Sequence, residues 1–197
     1  MSARIEFFFD YVSPYTYMAD TQIRGVAERA GAELVYRPML LGGLMQQTGN
    51  RPPATVQPKG PYMLRDLARW AKRYGVPFQM NPKFPLNTLT ALRLAVAALV
   101  DGGFEAFHPL AFRAAWAEAR DLGDPEVLRA LLAEAGLPAE RLFERAASAE
   151  VKDALKRNTE EAAARGAFGA PTFFIGDEMF FGNDRLDMVE EEAKRHR

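Results

Sequence analysis

An apolar run meets a polar cluster in Phe7–Tyr17, FFFDYVSPYTY, where Ser13-Pro14-Tyr15-Thr16 follows directly on Asp10-Tyr11-Val12. Serine before proline is how a helix starts: the serine oxygen caps the first turn, and proline fits the first helical position. The same hydroxyl can donate to an anion held at the helix start, where unpaired N–H groups and the helix dipole favour negative charge. A thiolate is such an anion, because thiol pKa values fall from ~8.5 toward ~3.5–7.5 at helix N-termini. The chain has no cysteine. A sulfur at this position must therefore arrive with a cofactor.

The elements that position Ser13 follow from the hydropathy pattern. Arg4–Phe9 reads as a buried strand, Ser13-Pro14 opens a helix that stops at Gly31, and Glu33–Arg37 is a second strand ended by Pro38. Strand, helix, strand implies parallel pairing with a right-handed crossover. A Gly- and Pro-rich stretch from residue 40 to 61 reads as a long loop with a short turn of helix, the kind of loop that often carries function. Helical patterns follow over Tyr62–Tyr74, Leu86–Val100, Phe104–Arg120 (kinked or broken at Pro109), a helix from Pro125 to Gly136, Pro138–Ala147 and Ser148–Arg165. PTFFIG and DEMFFG then read as a strand pair, and the chain closes on a helix starting near Asn183. The order is that of a thioredoxin-like α/β fold, βαβ…ββα, made discontinuously from 1–40 and 148–197, with an inserted all-helical domain over 41–147.

That order brings distant residues to one end of the sheet. Ala170-Pro171 opens the third strand; read alone it is an ordinary trans proline at a strand start. In the thioredoxin-like order the bond is expected to be cis, leaving the backbone groups of Ala170 open to pair with an extended peptide. Asn183 and Asp184 read as caps of the last helix, or as the holders of an α-amino acid head group: N–H groups for its carboxylate, Asp184 for its ammonium. Asn50, Arg51 and Lys59 lie in the loop, which is either solvated or places Lys59 or Arg51 against a carboxylate; Arg37, at a strand end, faces the site or is solvated. His108 and His196 belong to no metal-ligand pattern and are not read as catalytic.

Composition narrows the class. Lys plus Arg total 25 against 26 Asp plus Glu in 197 residues, with no basic excess to suggest nucleic acid. Disulfides, thiolate metal sites and a cysteine nucleophile are excluded by the absence of cysteine. The N-terminus lacks the pattern of a signal peptide and no apolar segment is long enough to span a membrane, so the expectation is a cytoplasmic enzyme or binding protein.

FFDYVSPYTY, GNRPP, PKGPYM, GAFGAPTFF and FFGNDR, taken together and in order, resemble the 2-hydroxychromene-2-carboxylate isomerases and kappa-class glutathione transferases, in the DsbA-like branch of thioredoxin folds. In that fold group the Ser13 and Thr16 slots carry a C-P-x-C pair. The resemblance implies glutathione as cofactor and Ser13 as the residue that activates its thiol, bordered by Pro14 and Tyr15. It implies that Ala170, beside cis-Pro171, pairs with the cysteinyl backbone. Asn183 and Asp184 would hold the γ-glutamyl head, and Asn50 would contact the tripeptide or the substrate. A small aromatic or enone acid is the implied substrate, with Arg37 or Lys59 for its carboxylate and Trp70, Phe84, Phe112 and Trp116 as pocket walls; a homodimer is implied as well. Three functions remain open at this point: the isomerase, a kappa-like transferase or peroxidase, and a non-redox thioredoxin-like binding module.

Overall fold

The computed structural model describes residues 3–196. Its sheet has four strands in the order β2-β1-β3-β4: β1 (Arg4–Phe9), β2 (Glu33–Pro38), β3 (Thr172–Ile175) and β4 (Glu178–Phe181). β1 pairs parallel with β2 and antiparallel with β3, and β4 pairs antiparallel with β3. β1 is apolar along most of its length because both its faces are covered. Phe7 stacks on Phe173 at 5.0 Å on one face, and Phe8 meets Phe174 edge-on at 5.4 Å on the other.

The first face packs against α1 (Pro14–Ala30), α9 (Leu186–Arg195) and the helical insert, including α3 (Lys59–Tyr74), α4 (Leu89–Asp101) and α5 (Phe104–Trp116). α6 (Pro125–Glu134) and α7 (Ala139–Ala147) complete the insert. The opposite face packs against α2 (Leu41–Thr48) and α8 (Ala149–Ala164), with Phe8, Met39, Leu44, Ala162 and Phe174 buried together. Thus α2, inside the 41–147 span, shares a core with the sheet.

Two expectations need correction. The stretch after residue 40 holds a helix of 8 residues, Leu41–Thr48, rather than a loop with a short turn. Helix α5 runs to Trp116 with Pro109 inside it, unbroken, while the segment to Arg120 leaves the helix. Among the described residues no helix is long and apolar enough to cross a membrane.

Candidate active site at the start of helix α1

β1 ends in the core and its last residues turn into α1. The Ser13 N–H donates to the Asp10 carbonyl at 3.2 Å, and the Ser13 Oγ accepts from the Thr16 N–H at 3.1 Å. Ser13 is thus the N-cap, followed by Pro14. Its hydroxyl points to the Ala170 carbonyl at 3.4 Å. The Ala170–Pro171 bond is cis, as the order of elements led one to expect; Phe84–Pro85, which sequence did not single out, is cis too. Ala170 stands outside the β1–β3 ladder, whose register begins at Thr172 opposite Phe8.

The Pro171 carbonyl accepts from the Gly182 N–H at 3.0 Å, which brings the 3₁₀ turn Asn183–Arg185 to the same edge. Gly182 has φ 104°, and a Cβ there would lie 2.5 Å from the Asp184 Oδ1, so only glycine lets that carboxylate fold back over the turn. Asn183 is buried and its Nδ2 has no hydrogen-bond partner. Asp184 is half-exposed and pairs with Arg185 at 2.7 Å. Asn50 reaches the cluster from the other side, its Nδ2 donating to the Phe168 carbonyl at 2.7 Å. Ser13, Pro14, Ala170, Pro171, Asn183, Asp184 and Asn50 therefore line one edge of the fold.

Tyr15 faces the insert. Its hydroxyl donates to the Asp66 Oδ2 at 2.9 Å. Burial, and then the bond and charge of Asp66, push its phenol well above the ordinary tyrosine value, with smaller contributions from Tyr62 and Asp184. Tyr74 donates to the Asn183 carbonyl at 3.0 Å. Asp66 is a candidate that the sequence did not single out; on α3 it reads as a solvated charge, and only its pairing with Tyr15 marks it out. A groove of about 250 Å³ opens beside Asn183 and Asp184, lined also by Trp70, Arg73 and Tyr74, but Ser13 is not on its wall.

Other expected residues lie elsewhere. Arg37 is on the opposite side of the sheet, ion-paired with Glu161 and, at 3.6 Å, with Glu6, and set over the Phe8 ring. These carboxylates already occupy it, so it is not brought to the Ser13 edge. Lys59 sits exposed at the start of α3. Phe112 and Trp116 are core rather than pocket walls: both are fully buried, and the Trp116 Nε1 donates to the Tyr11 carbonyl at 2.8 Å. Phe84 packs on Trp116, and Trp70 lines the groove beside Asn183 and Asp184. His108 is buried among aromatic rings, bonded to Asp20 at 2.8 Å and Tyr11 at 3.0 Å. Among the described residues no cluster of His, Asp or Glu is fit to hold a metal ion.

A serine-capped helix start facing a cis proline, on a β2-β1-β3-β4 sheet interrupted by helices, defines a class of thioredoxin-like proteins. The chain belongs to the DSBA-like thioredoxin family, whose domain matches residues 4–194. Its branch is that of the 2-hydroxychromene-2-carboxylate isomerases and kappa-class glutathione transferases. It is 34% identical over 192 residues to a 2-hydroxychromene-2-carboxylate isomerase of Sphingobium xenophagum, covering 96% of this chain and 97% of that one. It is 29% identical over 205 residues to glutathione S-transferase kappa 1 of Homo sapiens, covering 94% and 88%. A solved 2-hydroxychromene-2-carboxylate isomerase structure superposes with a TM-score of 0.85 at 28% identity, over 98% of this chain and 95% of that one.

Proposed function

We propose that this chain is a glutathione-dependent isomerase acting on aromatic-ring degradation intermediates of the 2-hydroxychromene-2-carboxylate type. The observation that carries the reading is the meeting of the Ser13 hydroxyl, the cis Ala170–Pro171 bond and the Asn183–Asp184 turn at one edge. When bound, glutathione would supply a thiolate nucleophile that adds reversibly to a conjugated enone acid. The Ser13 hydroxyl would donate a hydrogen bond to that thiolate and keep its proton, while the first turn of α1 adds a favourable field. Ala170, outside the strand ladder, offers its backbone to the cysteinyl backbone.

The residues present fit the head group of the tripeptide. The unpartnered Asn183 Nδ2 is a donor in want of an acceptor, as a carboxylate would be, and leaving it unpaired costs free energy. Asp184, with Asp66 beyond Tyr15, supplies negative charge for the ammonium. Lys59 is proposed for the substrate carboxylate. Asn50 contacts the tripeptide or the substrate, and a homodimer in the cytoplasm is part of the same reading.

Calorimetric titration tests it. Glutathione should bind saturably, and binding should weaken sharply in Asp184→Ala. No heat and no thermal shift at millimolar glutathione overturns the proposal. Turnover of a hydroxychromene acid, set against conjugation of chlorodinitrobenzene, separates the isomerase from a kappa-like transferase.

A further inference from the structure

The proposed chemistry makes no use of Asp10, a carboxylate only 1% exposed, three residues before Ser13. Its Oδ1 accepts from the Val12 N–H at 3.0 Å and from the Thr88 hydroxyl at 2.6 Å. Its Oδ2 accepts from the Leu41 N–H at 2.8 Å, and its own carbonyl accepts the Ser13 N–H at 3.2 Å. The starts of α1, α2 and α4 thus converge on one residue. In two of those helices the N-cap residue itself makes no side-chain cap bond, although the Asn87 Oδ1 accepts from the Leu89 N–H at the start of α4 at 3.3 Å. Leu40, at the N-cap of α2, has no polar side chain, and Thr88, at the N-cap of α4, makes no side-chain cap bond. The Thr88 hydroxyl is turned to Asp10 instead, and Asp10 caps α2 across 31 residues of sequence.

Both arms of the candidate site spring from this point. α1 begins at Ser13, and α2 ends at Thr48 with Gly49 as its C-cap and delivers Asn50 to the Phe168 carbonyl, two residues before Ala170. Burial raises the Asp10 carboxyl above its ordinary value in spite of the donated hydrogen bonds. A buried carboxylate of this kind is retained at a cost in desolvation.

We propose that Asp10, held by Thr88 of the insert, is a positioning residue that fixes Ser13 and Asn50 relative to one another on either side of the cis-proline loop. The inference rests on the functional reading above for its consequence in turnover, though not for its geometry.

The test uses the full chain with three substitutions and one control. Thr88→Val removes the hydroxyl at nearly constant volume, and Thr88→Ser keeps it. Asp10→Asn turns an amide N–H toward at least one backbone N–H that now donates to a carboxylate oxygen. Leu132→Ala, on α6 against α5 and α7, sets the scale for plain loss of stability. Two quantities are measured: the amide resonances of Thr16 and Asn50 without ligand, and kcat and KM for glutathione-dependent turnover. Thr88→Val and Asp10→Asn should shift those resonances and lower kcat about ten- to a hundredfold, as small misplacements of catalytic groups do. KM for glutathione should change less, and Thr88→Ser should restore both readouts. Leu132→Ala should melt lower with resonances and turnover as in the parent.

The proposal is overturned if Thr88→Val and Asp10→Asn melt lower yet keep the Thr16 and Asn50 resonances and the parent kcat. Should Asp10→Asn fail to fold, the two Thr88 variants decide. Should the parent show no glutathione-dependent turnover, the functional reading falls, and the resonances alone decide the positioning role.

Discussion

At Ser13, capping and the proposed catalysis would use different parts of one hydroxyl. A hydroxyl has one proton and two lone pairs. One lone pair accepts from Thr16 at 3.1 Å, while the proton leans on the Ala170 carbonyl at 3.4 Å. The second contact is long beside the usual ~2.7–2.8 Å of O–H···O bonds, so the proton is weakly held and can be turned to a better acceptor. Ser13→Ala should therefore lose the cap, about 0.5–2 kcal/mol of stability. Ser13→Asp should keep the cap, since aspartate caps as well as serine, but it cannot donate to sulfur. Its charge would also repel a thiolate and raise the thiol pKa, each unit corresponding to ~1.4 kcal/mol. Melting temperature, and the pH dependence of thiolate absorbance with bound glutathione, check this: Ser13→Asp with the parent's thiol titration and turnover would leave Ser13 a cap only. Ser13 was legible in sequence because serine before proline has a local meaning. Arg37 and Asp66 were not, since a charge says nothing of its partner. Glu161, 124 residues away, claims Arg37, and Tyr15, 51 residues away, marks Asp66.

Among the elements, those with local stop and start signals were legible: β1, α1 with Gly31, and the strand pair near the C-terminus. Helix α2 was hidden for a physical reason. Its sequence, LGGLMQQT, carries two glycines that lower helix propensity, and its cap is supplied from Asp10 rather than from its own start. The loop before β3 hides a similar dependence. Gly169 lies so near β4 that a Cβ would stand 2.6 Å from the Phe181 ring, and its carbonyl accepts from the Thr172 hydroxyl at 2.8 Å. Gly169→Ala should cost about 1–3 kcal/mol by overpacking. Phe181→Ala should recover most of that cost in the double variant, because it removes the ring that the new methyl meets. Chemical denaturation of the single and double variants measures the coupling; additive losses would mean that the strain comes from the backbone instead.

At the scale of the whole molecule, tyrosine hydroxyls are among the bonds that tie the sheet and its first helix to the helices between β2 and β3, and α3 to the turn before α9. Tyr11, at the end of β1, meets His108 of α5 at 3.0 Å; Tyr15 of α1 donates to Asp66 of α3 at 2.9 Å. Tyr17 of α1 donates to the Pro77 carbonyl at 2.7 Å, and Tyr74 of α3 donates to the Asn183 carbonyl at 3.0 Å. With Tyr36 of β2, five of the six tyrosines have phenols raised above the ordinary value, burial being the first cause in each. For Tyr74 the Asp184 and Asp187 charges add to that burial, and for Tyr11 the Asp20 and Asp10 charges do. In the unfolded chain these phenols would ionise near ~10. Above that pH the unfolded state has lost protons that the folded state still holds, so stability falls as pH rises. The contribution is whole below the unfolded value and is lost as pH climbs toward the raised folded values. Alkaline unfolding should therefore be cooperative, with phenolate absorbance rising together with the loss of far-ultraviolet circular dichroism. Phenolate from more than one tyrosine while the helical signal stays intact would mean that these hydroxyls do not make those bonds in solution.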